Sequence, residues 1–142
     1  MKLTRRIPSA LLAPMFVSGG WDAAIRPHGK AAKASVVTEK VIDATGLATD
    51  TDQLVRVNGA VQVGAGVLLA IGVVPRLSAA VLAASLVPTT LAGHRFWAEE
   101  DPQARATQRV QFLKNLGLLG GLLLVVAGSE PGFIDRHLHH ED

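Results

Sequence analysis

"VNGAVQVGAGVLLAIGVVPRLSAAVLAASLVPTTLAG", Val57 to Gly93, contains a single charged residue, Arg76. On either side of it, Val57–Val74 and Leu77–Gly93 carry no charge at all. A helix at the surface of a soluble bundle keeps a polar face, whereas these stretches are apolar all round. A bilayer core of about 30 Å is crossed by about 20 apolar residues, with a working range of about 17 to 25. Both stretches therefore read as membrane spans. Only Pro75 and Arg76 separate them, so they form a tight antiparallel hairpin.

Working outward, Ile7–Ile25 carries only Asp22 and Phe112–Gly128 only Lys114, which makes four spans of 17 to 19 residues. The expected fold is all-α: a four-helix transmembrane bundle running up-down-up-down, one domain over residues 1–142, with a polar tail at 129–142. Composition agrees, since 18 % of the residues are charged against roughly 25 % in an average soluble protein. "MKLTRR" before an apolar stretch resembles a signal peptide, but the prolines at 8 and 14 interrupt that stretch, and the segment is expected to remain as the first span. Pro8, Pro14 and Pro88 are tolerated in membrane helices when neighbours satisfy the freed carbonyls. Small residues at four-residue spacing let such helices approach closely. Gly117 with Gly121, Ala60 with Gly64, and Ala79 with Ala83 have that spacing and are the expected packing positions.

The connections sort the polar residues. In the loop 26–56, Val37, Val41 and Ala44 share one helical face ahead of Gly46, which predicts a short amphipathic helix at the interface. Asp50 with Gln53 reads as a capping box opening the second span, and Asp101 with Pro102 as N-cap and first residue of the fourth helix. Four antiparallel spans put both long connections in one leaflet. There they gather Asp22, Arg26, Arg56, Asn58, Gln62, His94, Arg95, Lys114 and Asn115. The long-loop side also carries more Lys and Arg, so the positive-inside rule leans towards placing it in the cytoplasm.

Two readings of this cluster stand side by side. In one, Asp22 pairs with Lys114 or Arg56, and the amides tie helices together at about 0.6 kcal/mol per contact. In the other, the cluster receives the polar head of a small amphiphile, a quinone or a lipid, whose tail lies in the apolar grooves below. His94 and Arg95 suit a helix C-terminus, and Phe96 and Trp97 the aromatic belt. No second intramembrane histidine is present for haem ligation, and "HLHH", with His137, His139 and His140, reads as a solvated tail, so no metal site is expected. With no cysteine, no nucleophile elbow and no phosphate loop, no catalytic residue is assigned. The formal net charge of +2, without a dense basic run, excludes nucleic acid as an expected partner.

"FVSGGWDAAIRP", "LVRVNGAVQVGAGVLLAIGVVPRLSAA", "SLVPTTLAGHRFW" and "RVQFLKNLGLLGGLLL" together resemble the DoxX family of small bacterial membrane proteins, its actinobacterial branch in particular. That resemblance implies a multi-pass protein of the bacterial plasma membrane. It also implies a role as a non-catalytic subunit or anchor for redox, oxidative-stress or sulfur-metabolism enzymes. A quinone-interacting subunit of a thiosulfate:quinone oxidoreductase and a small-solute carrier are the alternatives. Many members of that family carry an acid where this chain has Gln62, and a lysine near Asp22. The expected partners are the lipid bilayer, other membrane-associated redox enzymes and further copies of the chain.

Overall fold

A computed structural model of the chain describes residues 3–46 and 49–128, and the side chains from residue 7 onward within that range. These residues form five α-helices and no strand: α1 (Leu3–Ile25), α2 (His28–Thr45), α3 (Thr51–Ile71), α4 (Pro75–Gly93) and α5 (Pro102–Ala127), with a 3-10 turn at Phe96–Ala98. The polar tail and its three histidines lie outside the described residues.

Local chemistry sets the helix ends. Asp50 Oδ1 accepts from the Gln53 backbone N–H at 2.7 Å, and Asp101 Oδ2 from that of Ala104 at 2.7 Å, each capping a helix N-terminus. Only half of a capping box forms at Asp50, because the Gln53 side chain turns to the Thr49 hydroxyl instead of reaching back. Gly72, at φ 73°, closes α3 in the left-handed conformation three residues before Pro75 starts α4. The second span therefore ends at Ile71 as a helix, and not at Val74.

Among the described residues three segments are long and apolar enough to cross a bilayer: α3, the stretch Pro75–Ala98 that continues α4 through the 3-10 turn, and α5. The expectation of four equivalent spans needs correcting at α1. Pro8, Ser9, Pro14, Ser18, Gly19, Gly20 and Asp22 dilute its apolar character, and it does not reach the composition of the other three. The helix in the first long connection also differs from the short one expected. It runs for 18 residues with none of them buried, because Ala31, Ala32, Ala34 and the lysines around them sustain helix well beyond the valine face.

The packing is antiparallel throughout. Gly20 of α1 meets Gly59 of α3, while Ala13 and Val17 meet Gly66, so the two helices run in opposite directions. A methyl group on Gly59 would lie 2.5 Å from the Gly20 carbonyl oxygen and 2.7 Å from the Ala24 nitrogen, which is backbone contact that no side chain can share. Between α3 and α4, Gln62 bonds Ser85; between α4 and α5, Thr90 bonds Asn115; and Leu12 of α1 lies against Gly121 of α5. A core of Phe16, Leu69, Leu82, Leu86 and Leu122 with Ala65, Ala79 and Ala83 fills the centre. The close-packing glycines are thus Gly20, Gly59 and Gly66. Ala60 and Gly64 face outward, Gly117 has open space where a Cβ would stand, and Ala79 and Ala83 are in the core.

Candidate functional site

Asn58 and Gln62 are one turn apart on α3, and Ser85 and Thr89 are one turn apart on α4. Antiparallel packing brings the two pairs together. The Gln62 amide donates to Ser85 Oγ at 2.9 Å and, more distantly, to Thr89 Oγ1 at 3.4 Å. Ser85 donates in turn to Asn58 Oδ1 at 2.7 Å, and Asn58 Nδ2 donates to Thr89 Oγ1 at 3.3 Å. Thr89 completes the ladder by donating to the Ser85 carbonyl at 2.7 Å. Gln62 and Ser85 are buried and each has a partner, so this part of the ladder holds a defined shape. On the α5 side, Asn115, buried, donates to Thr90 Oγ1 at 3.0 Å.

This ladder lies against a cavity of about 570 Å³ lined by residues of all five helices. That volume falls within the roughly 300–1,000 Å³ of ligand-binding cavities. Phe16 from α1, Leu86 from α4 and Leu118 from α5 form part of its apolar wall, and Asn58, Gln62, Thr89 and Asn115 give it polar atoms. α2 closes it from above with one face, Lys30, Lys33, Ala34, Val37, Thr38 and Val41, the residues recurring at helical spacing. That helix is fastened at several points. Lys30 pairs with Asp22 at 2.6 Å and donates to the Gly19 carbonyl at 3.3 Å, Thr38 meets the Thr51 hydroxyl at 2.8 Å, and His28 pairs with Asp52.

The cavity gathers five of the nine cluster residues read from the sequence: Asn58, Gln62, His94, Lys114 and Asn115. His94 Nδ1 lies 2.8 Å from Gln108 Oε1, so a neutral ring donates from Nδ1 and keeps Nε2 as an acceptor. Lys114 donates to the Gln111 side-chain oxygen. The other four stand outside. Asp22 belongs to the α1–α2 junction and pairs with Lys30, not with Lys114 or Arg56. Arg26 is exposed just beyond α1, and Arg56 points to the Ala24 carbonyl at 3.4 Å. Arg95 precedes the 3-10 turn, where Phe96, Trp97 and Phe112 pack edge-to-face with ring centroids 5.1 to 5.9 Å apart. Among the described residues no group of three His, Asp or Glu is placed to hold a metal ion.

Four residues of the site were not singled out from the sequence. Ser85 and Thr89 carry a signal that could have found them, because their i, i+4 spacing mirrors that of Asn58 and Gln62. Lys30 and Lys33 carry none, since only the docking of α2 makes them part of a cavity.

A family model described as the SURF4 family matches residues 47–136, more than half of the chain. The chain belongs to the SURF4 family. The resemblance to the DoxX family is thereby overturned, and with it the expected roles as a redox or stress-enzyme anchor, a quinone-interacting subunit or a carrier. The stretches that carried it are largely alanine, glycine, leucine and valine, which membrane helices of many families share. No curated protein and no solved structure matches the chain. The SURF4 match covers α3, α4 and α5, and so the whole polar ladder with His94 and Lys114. α1 and α2, which supply the rest of the cavity, precede it.

Proposed function

We propose that this SURF4-family chain is a lipid-binding membrane protein that holds one amphiphilic lipid in the cavity beneath α2. The cavity itself carries the reading: an apolar wall of a size suited to acyl chain, topped by a fixed polar ladder and lysines at the end where the long connections lie. In a chain whose helices are built for a bilayer, lipid is the solvent that reaches such a space first. The site has no activated nucleophile or acid–base pair among the described residues, so the proposed role is binding and not turnover. α1 serves as a fourth, weaker crossing, held by its glycine contacts with α3. The long connections face the cytoplasm of a bacterial plasma membrane, in keeping with their excess of lysine and arginine.

Filling the cavity tests this. Gly93 lines it, and a Cβ there meets nothing within 4 Å, so Gly93→Phe adds a ring without a backbone clash. Gly117 is equally open but lies away from the cavity, which makes Gly117→Phe the control. Native mass spectrometry of the purified full chain is expected to show one retained lipid, lost in Gly93→Phe and kept in Gly117→Phe. Equal retention in all three proteins would overturn the proposal.

A further inference from the structure

We propose that the lipid held in this cavity is an anionic phospholipid, its phosphate recognised by Lys33 of α2 and Lys114 of α5. This rests on the reading that the cavity holds a lipid, and it names the head group. Three lysines line the cavity and no aspartate or glutamate does. Asp22, reaching across from the end of α1, offsets Lys30 at 2.6 Å. Among the described residues neither Lys33 nor Lys114 forms an ion pair, and the Lys114 ammonium meets only the neutral Gln111 amide oxygen. Two ammonium groups with no carboxylate partner repel one another, and an anion between them gains from both.

The two lysines come from different helices. Lys33 belongs to α2 and Lys114 to α5, one turn before Leu118 in the apolar wall. A phosphate between them would leave acyl chain to run down past Leu118, Leu86 and Phe16. His94 adds a ring nitrogen to the same cavity, and Asn58, fixed by Ser85 and Thr89, adds its amide. A free phosphate would use the lysines but not the wall beneath them. That favours the lipid as the source of the anion.

Binding of a fluorescent phosphatidylglycerol to the detergent-purified full chain tests the proposal, with phosphatidylcholine as the zwitterionic comparison and inorganic phosphate as competitor. Phosphatidylglycerol is expected to bind at least about tenfold more tightly than phosphatidylcholine, because both offer a phosphate but phosphatidylcholine also brings a choline cation towards the two lysines. Lys33→Gln and Lys114→Gln should each remove most of that preference, weakening phosphatidylglycerol more than phosphatidylcholine. Lys40→Gln, on the same helix but outside the cavity, should leave the preference intact. The two lysines are exposed, so unchanged helical content of the variants separates recognition from misfolding.

Equal affinity for the two lipids would overturn the anionic head group while leaving lipid binding in place. The absence of saturable binding by either lipid would remove both. Equal loss in Lys40→Gln would mean general surface charge and overturn the assignment to Lys33 and Lys114. Displacement by millimolar phosphate would make the free anion the ligand and overturn the lipid.

Discussion

At Gly59 a single hydrogen decides how α1 and α3 meet. An added methyl group would stand 2.5 Å from a backbone oxygen that cannot turn aside. Gly59→Ala is therefore expected to lower stability by about 2 kcal/mol, within the range of overpacking a core. Gly64→Ala, five residues along the same helix, meets nothing and should be neutral or slightly stabilising. Reversible unfolding in mixed detergent micelles measures both. Small-residue spacing marked the Ala60–Gly64 pair in the sequence, yet α3 is rich enough in small residues to offer several such registers. Which one is used depends on Gly20, far away in the chain, so the spacing alone could not choose it. Ser85 belongs to the same scale. Ser85→Ala removes an acceptor from Gln62 and a donor to Asn58, and should cost about 1 kcal/mol, the magnitude of an interhelical polar contact in membranes.

Among the elements, the hairpin and α2 behave oppositely. The hairpin was legible because only Pro75 and Arg76 separate two uncharged stretches, while the helix end at Gly72 and the helix start at Pro75 came from the structure. It also stores strain that the sequence did not disclose. Val74 sits at φ 43°, a conformation unfavourable for a β-branched residue and further disfavoured before proline. Val74→Gly should raise stability by about 1 kcal/mol, read as a higher unfolding midpoint in the same assay. For α2 the sequence disclosed the apolar face but not the helix's full length or its place over a cavity, because both depend on contacts with distant helices. Asp22 and Lys30 hold its first turn, and both side chains are partly solvent-exposed, so the pair contributes little to global stability. Asp22→Asn should leave the unfolding midpoint nearly unchanged while speeding amide hydrogen exchange through the first turns of α2. Unchanged exchange would show that Thr38 and His28 suffice to hold it.

For the whole molecule, the absence of cysteine makes topology directly measurable. Single cysteines replacing Lys40 and Gln103 should react with an impermeant maleimide from one side of the membrane, and one replacing Arg76 from the other. Labelling of positions 40 and 103 from opposite sides would remove α3 or α4 as a crossing. The helical architecture and the polar end of the bundle were readable from hydropathy and spacing. The cavity was not, since it forms between α2 and residues scattered over four other helices. Lipid in that cavity is the central claim, and photolabelling tests it most directly. The full chain in detergent would receive a trace of phospholipid with a diazirine in its acyl chain, and the labelled residues would be mapped by mass spectrometry. Labelling at Phe16, Leu86 and Leu118 should saturate and be competed by excess unlabelled lipid, whereas labelling at the outward-facing Leu124 should not. Labelling confined to outward-facing positions, or equally non-competable at both sets, would contradict it.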